Sequence, residues 1–273
     1  MQSHTVIGGG GIRLHVDEAG NPHGRPIVFI HGFSQCRLAW SRQMVSDLSR
    51  DFRLIAMDLR GHGLSEKPPE VYGDMRLWAE DVHAVLHTLG LQQPVLCGWS
   101  YGGVVICDYL SVYGEDAIAG LHLIGAITSL ESETAMAVVS PAFFALVPGF
   151  FSTDVEESLS ALQAFLRLCT QGEFTPAEHY AWLGYNASVP PYVRQGLLSR
   201  VAVHHPLLPC LRKPVLITHG DADAIILRGA AEQHAAAIPQ AQTSFCPHVG
   251  HAPFWEDAPR FNRELRAFIA SLP

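Results

Sequence analysis

The residues most able to do chemistry in this 273-residue chain stand at Gly98-Trp99-Ser100-Tyr101-Gly102. The pentapeptide directly follows the apolar run Val95-Leu96-Cys97 and leads into Gly103-Val104-Val105-Ile106-Cys107-Asp108-Tyr109-Leu110, an apolar helical stretch. A buried strand that turns sharply into a helix strains the serine backbone and pushes Oγ out of the fold, the arrangement of a nucleophile elbow. Glycines flank the serine because side chains there would collide with neighbouring backbone. The N–H groups opening the helix point at whatever the serine attacks, and the helix N-terminus favours negative charge there. The pentapeptide pattern alone arises by chance in many chains. The strand before it and the helix after it make Ser100 a nucleophile in this reading, against the alternative of an idle serine in a Gly-rich turn. Serine is a weak nucleophile without a base, and the base needs a carboxylate to orient it.

The elements that must position such a site follow from apolar periodicity. Val6-Ile7 and Ile12–Val16 flank Gly8–Gly11 and read as two short strands around a hairpin turn. Ile27–Ile30, Arg53–Met57, Val95–Cys97, Gly120–Ile127 and Val215–Thr218 read as buried strands, and Thr243–Cys246 as a weaker one. Helical spacing lies between them, from Leu77 to Leu89 with Gly90 as a stop, and from Phe261 to Ile269 at the end. Alternating strands and helices predict an α/β fold with a mostly parallel central sheet and helices on both faces.

The rhythm breaks over residues 129–209, a length that exceeds an ordinary crossover loop. Thr153-Asp154-Val155-Glu156 reads as a capping-box start, followed by Val155, Leu159, Leu162, Leu166 and Cys169 on one helical face. Thr175-Pro176-Ala177-Glu178 is a second start, and Pro190-Pro191 opens a third helical segment. The chain therefore divides into a core of residues 1–128 and 210–273 and a helical cap, or lid, of residues 129–209 inserted into it.

Composition narrows the possibilities. The chain is 48% hydrophobic with a formal charge of −8, which supports a substantial core and gives no electrostatic footprint for nucleic acid or an anionic membrane. Residues 134–153 carry no formal charge, but Pro141, Pro148 and Gly149 interrupt them, so a greasy surface over a binding pocket is favoured over a membrane span. No two of the six cysteines stand at C-x-x-C spacing, and most lie in apolar runs as small core hydrophobes. Met1-Gln2-Ser3-His4-Thr5 lacks the charged and apolar regions of a signal peptide, so the expectation is a cytoplasmic protein without stable membrane insertion. His204-His205 invites a metal reading, yet adjacent side chains diverge and no partner stands at ligand spacing; no metal and no cofactor are expected.

Four motifs together resemble the α/β-hydrolase fold family, in particular its carboxylesterases and cofactor-free haloperoxidases. They are His31-Gly32-Phe33, Asp58-Leu59-Arg60-Gly61-His62-Gly63-Leu64-Ser65, the elbow, and Gly250-His251. The resemblance covers nearly the whole chain. It implies a Ser-His-Asp triad in the chain order Ser, acid, His. His219-Gly220-Asp221-Ala222-Asp223 then offers Asp221 or Asp223, and the family's G-x-x-D pattern selects Asp223, with Asp221 left to cap the loop. His251 takes the position of the base, with His248 as its competitor. The backbone amides of Phe33 and Tyr101 become the oxyanion donors, while His31 holds the oxyanion loop through its ring nitrogens. The Asp58–Ser65 turn shapes the fold beside the site.

The implied reaction is hydrolysis of small to medium hydrophobic carboxylic esters through an acyl-enzyme. Phe143, Phe144 and Trp182 are the expected pocket residues, with Leu146, Phe150, Phe151 and Tyr185 as further apolar members of the lid. Lactones and thioesters use the same machinery. Perhydrolysis, with peroxide replacing water, is a further alternative, although many cofactor-free haloperoxidases carry Pro soon after His-Gly where this chain has Ser34. A ligand-binding receptor on the same fold is the reading from another class. The expected partner is a small hydrophobic acyl substrate.

Overall fold

The computed structural model describes residues 1–130 and 133–273, so Glu131 and Ser132 of the expected cap lie outside the described residues. The strands are β1 (Gln2–Ile7), β2 (Arg13–Gly20), β3 (Pro26–Ile30), β4 (Arg53–Met57), β5 (Val95–Trp99), β6 (Gly120–Ile124), β7 (Val215–Gly220) and β8 (Gln242–Cys246). They form one sheet in the order β1-β2-β4-β3-β5-β6-β7-β8. The β1–β2 and β2–β4 pairs are antiparallel and the remaining pairs parallel. The continuous apolar runs become strands buried along their whole length, β3, β5, β6 and β7. The weakest pattern became β8, an edge strand in which only Cys246 is buried. One neighbour instead of two leaves its polar residues in solvent, which is why it carried the least apolar signal.

The two faces of the sheet follow from strand alternation. Cys97 pairs with His122 across β5 and β6, and the His122 ring stacks on Phe261 of the helix Ala258–Ala270 at 5.1 Å. Gly98, one residue on and facing the other way, lies against Ile106 of the helix Gly102–Tyr113. Those helices therefore cover opposite faces. The helix Met75–Thr88, started by Asp74 accepting from Arg76 N–H, packs against Gly102–Tyr113. Strand β6 ends at Ile124 although the apolar run continues to Ile127, because Gly125 turns the chain with φ +47°. All six cysteines are free thiols.

Between β6 and β7 the chain forms the short helices Glu133–Met136, Pro141–Phe144 and Val147–Phe151, then Val155–Cys169, Pro176–Ala187 and Pro191–Leu198. Thr175 and Glu178 make the expected reciprocal capping box. The start of Val155–Cys169 differs: Asp154 is the cap, accepting from Glu157 N–H at 2.9 Å, because its carboxylate stands one residue nearer the first turn than the Thr153 hydroxyl. Val155 is exposed, and Ala161, Leu162, Phe165, Leu166 and Cys169 carry the buried face instead. No helix among the described residues is long and apolar enough to cross a membrane. Phe143, Phe150 and Phe165 from three of these helices close around Phe33 of the core, with ring centroids 5.3–6.1 Å apart. Each such ring pair contributes about 0.5–1.5 kcal/mol beyond the area it buries.

Candidate active site

Ser100 follows the last residue of β5 and holds φ +56°, in the left-handed region that costs a non-glycine residue conformational energy. The surrounding chain over-determines that conformation. Ser100 N–H donates to Ile124 O on β6 at 2.9 Å, and Ser100 O accepts from Gly103 and Ile127 N–H at 3.0 and 3.2 Å. Residue 102 must be glycine, since a Cβ there would stand 2.5 Å from Ile30 O. The serine is almost buried at 7% exposure and forms part of the floor of a cavity of about 230 Å³.

The loops after β7 and β8 bring Asp223 to His251. His251 Nδ1 donates to Asp223 Oδ2 at 2.7 Å, which leaves Nε2 as the ring's free nitrogen. The other carboxylate oxygen accepts from Ile225 and Ile226 N–H, both at 2.9 Å, so Asp223 is held from two sides. Asp221 does something else: it accepts from His248 N–H at 2.6 Å and secures the turn in which His248 adopts φ +58°. His248 is exposed and His251 buried. Of the two carboxylates and two histidines raised by the sequence, the structure joins Asp223 and His251.

Several residues that support this pair were not singled out from sequence. Trp99 Nε1–H donates to His251 O at 2.8 Å, and the two rings lie 5.4 Å apart. Gly125 passes so close that a Cβ there would be 3.2 Å from His251 Nδ1 and 3.3 Å from Asp223 Oδ2. His219 donates from Nε2 to Ile226 O at 2.9 Å and lies 3.5 Å from Asp223. Burial lowers the His219 pKa below the usual histidine value, which suits this neutral, hydrogen-bonded ring. Glu256 accepts from Gly250 N–H and from Gln171 N–H, tying the His251 loop to the chain beyond Cys169. Gly125 was the one with a visible signal, a glycine inside an apolar run.

The loop after β3 lies against the serine. A Cβ on Gly32 would be 2.9 Å from Ser100 Cβ. His31 Nδ1 donates to Gly32 O at 2.9 Å and Nε2 accepts from Leu59 N–H at 3.0 Å, so the ring bridges this loop to the turn after β4. Burial depresses its pKa to about 4, which keeps it neutral and able to accept. Asp58 braces the same region, accepting from Arg37 N–H and Leu64 N–H, each at 2.8 Å. Neither Phe33 N–H nor Tyr101 N–H donates to a protein acceptor among the described residues. Two unspent donors flanking Ser100 can receive a developing oxyanion.

The cavity is apolar. Phe33, Tyr101 and Ile127 come from the core, Leu130 from the chain just beyond it, Phe143, Phe144, Val147, Phe151 and Phe165 from the helices above, and Leu198, Ser199, Ile225 and Ile226 from the returning chain. The uncharged stretch 134–153 thus supplies much of the cavity roof, through Met136, Val139, Phe143, Phe144, Val147 and Phe151. Trp182 corrects the expectation. It is 1% exposed and packs among Trp99, Phe174, Tyr185 and Trp255 with centroids 4.9–6.1 Å away, so it supports the fold and does not line the cavity. Sequence showed an aromatic in the cap but not which way its helix would turn. His204, the other residue with a ligand reading, hydrogen-bonds Asp108 through Nε2 at 2.9 Å. Among the described residues no three His, Cys, Asp or Glu side chains gather so as to hold a metal ion.

A mostly parallel sheet with a strained serine at the carboxyl end of a central strand, and a His–Asp pair on the loops after two later strands, defines the α/β-hydrolase class of enzyme. The chain belongs to the α/β-hydrolase fold family, whose model matches residues 25–167. An esterase from Rhodococcus sp. ECU1013 is 40% identical, with all of both chains covered and a TM-score of 0.94. A putative aryl esterase from Burkholderia cenocepacia is 33% identical over 98% of each chain, with a TM-score of 0.90. A bifunctional esterase/perhydrolase from Acinetobacter calcoaceticus is 27% identical over 92% of this chain and 94% of its own length.

Proposed function

We propose that the protein is a serine esterase acting on small to medium hydrophobic carboxylic esters, with residues 129–209 as the cap over its acyl pocket. The observation that carries this is the strained Ser100 at the floor of a cavity walled almost entirely by carbon, beside two free N–H donors. Ser100 Oγ attacks the ester carbonyl carbon while His251 Nε2 takes its proton. Asp223 holds the Nδ1–H tautomer and stabilises the imidazolium. The carbonyl oxygen, now negative, lies against Phe33 and Tyr101 N–H. Collapse expels the alcohol with a proton from His251, and water repeats the sequence on the acyl-enzyme. Each oxyanion donor is worth roughly 2.7–4 kcal/mol of barrier in such sites.

The relatives named as esterases support this reading, and one also named a perhydrolase raises the use of peroxide. The backbone at residue 34 speaks against that second activity by the family's proline-bearing loop. Ser34 sits at φ +59°, while proline is confined near −65°, so the loop here has a shape that such a proline cannot adopt.

Two measurements test the assignment. A fluorophosphonate probe is expected to label Ser100 and nothing else. Rates on p-nitrophenyl esters from acetate to laurate are expected to be highest for short to medium chains. Absence of labelling overturns the hydrolase and leaves a ligand-binding protein on this fold; labelling with a flat, near-background ester series points to a lactone or thioester.

A further inference from the structure

The chain returning from the cap is fastened to the helix behind Ser100 by a buried ionic network. Arg200, 1% exposed, donates from Nη2 to Asp108 Oδ2 at 2.7 Å and from Nη1 to Tyr101 Oη at 3.0 Å. Tyr101 Oη in turn donates to Leu197 O at 3.3 Å. His204 Nε2 is 2.9 Å from the second oxygen of Asp108, and His204 N–H donates to Ser129 Oγ at 3.0 Å. The Arg200 guanidinium lies over the Trp78 ring at 4.9 Å, and that ring is 5.9 Å from the ring of Tyr101. Leu198 and Ser199, immediately before Arg200, form part of the cavity wall.

The network is costly as a mere staple. Two charges are removed from water completely, and apolar residues of similar volume generally stabilise such a seam as well or better. What the guanidinium adds is direction. It holds a carboxylate with one nitrogen and a phenol with another, a fixed planar spacing that the compact, freely rotating ammonium of a lysine does not impose. The phenol it holds belongs to the residue after the serine. The Ser100–Tyr101 peptide is held from one side through Ser100 O, which accepts from Gly103 and Ile127 N–H at 3.0 and 3.2 Å. The Tyr101 turn has no side-chain cap bond, and the anchored ring adds a second hold from the Tyr101 side.

We propose that Arg200 is a positioning residue: through Tyr101 Oη it keeps the Ser100–Tyr101 peptide oriented, so that Tyr101 N–H stays aimed at the oxyanion once the cap chain is seated. This rests on the serine-esterase reading. Tyr101 both lines the acyl cavity and supplies the N–H, so the seating of residues 197–204 is transmitted to the oxyanion donor by one side chain.

Two variants test it without stripping Asp108 of its charge partner. Tyr101→Phe removes only the hydroxyl link and keeps the backbone N–H, and Arg200→Lys keeps a cation beside Asp108. Both are measured on p-nitrophenyl butyrate and with an alkyl trifluoromethyl ketone, which captures the serine as an anionic hemiketal. Each variant is expected to lower kcat about tenfold with KM within about twofold, and to weaken the ketone by the same factor as kcat. The double variant is expected to be no worse than either single one, since both break one link. Variants that melt at lower temperature but keep kcat and ketone affinity overturn the positioning role. A wild-type protein that forms no ketone adduct overturns the esterase reading along with it.

Discussion

The two walls of the cavity are built by different forces. On the sheet side, Ser100, His251, Asp223 and the loop after β3 are held by directional bonds: Ser100 N–H to Ile124 O, Asp223 to two backbone N–H groups, His31 between Gly32 and Leu59. On the cap side, the rings of Phe143, Phe150 and Phe165 meet one another at 5.5–5.9 Å, tilted or edge-on. Polar groups hold backbone there, Arg194 Nε–H donating to Phe150 O and Ser140 Oγ accepting from Phe143 N–H, while the rings themselves are placed by packing. A hydrogen bond specifies a position to tenths of an ångström, whereas ring packing specifies a volume. The sheet wall should therefore govern how fast an acyl group is transferred, and the cap wall which acyl group is accepted.

The largest effect should come from Ser100→Ala, which removes the nucleophile and is expected to lower kcat by at least about 10⁴-fold. A melting temperature that barely moves would show that chemistry and fold are separable at this residue. The paired aspartates sharpen the contrast within the sheet wall. Asp223→Asn is expected to cost about 10²–10⁴-fold in kcat by presenting the wrong tautomer, and Asp221→Asn no more than about threefold. Equal losses at the two positions would mean that the loop, not the His251 contact, is what matters. Gly125→Ala comes next. Its Cβ meets both members of the His251–Asp223 bond at 3.2–3.3 Å and its φ is +47°, so a loss of about 10- to 100-fold in kcat is expected. Wild-type activity in that variant would show that the pair tolerates displacement.

This contrast also decides what could be read in advance. The buried parallel strands were visible because a strand covered on both faces is apolar without interruption, and the elbow because its glycines are sterically required. His31 and Asp221 were recognisable because backbone-bracing side chains occupy set places beside such strands. Trp182 was misjudged because a cap helix is apolar on more than one side, and only its packing against Trp99 and Trp255 shows which side meets the cavity. Arg200 carried no local signal at all. Its partners Asp108 and Tyr101 are about a hundred residues away, and only the folded chain brings them together.

Acid should act first through the sheet wall and its surroundings. Burial depresses the pKa of His31 and His234 to about 4, and of His62 and His122 to about 3. An unfolded histidine takes up its proton near pH 6.5, so the unfolded chain binds more protons than the folded one once the pH falls below that value. The stability these rings contribute is complete above about pH 6.5 and is lost progressively as the pH drops toward their folded values. Each should contribute roughly 1–2 kcal/mol of lost stability at pH 5. Urea unfolding at pH 7 and pH 5 is expected to show a clearly lower midpoint at pH 5. None of the four lies in the cap helices, so an unchanged midpoint would break the picture of a polar, proton-sensitive sheet side.

The smallest effect is expected where packing alone is at work. Phe143 lines the cavity and meets the Phe33 ring edge-on at 5.8 Å, so Phe143→Ala opens volume next to the acyl chain without touching a donor or a base. It should shift the ratio of kcat/KM between octanoate and butyrate p-nitrophenyl esters toward the longer chain by about 5- to 10-fold, while kcat on butyrate changes by less than about threefold. Trp182→Phe also removes aromatic bulk from the same cap, though less of it, and from a position facing Trp99 and Trp255. It should cost stability and leave the octanoate-to-butyrate ratio where it was. If Trp182→Phe moves that ratio as far as Phe143→Ala does, the cap transmits its packing to the pocket as a whole, and selectivity belongs to the cap's rigidity instead of the few rings that line it.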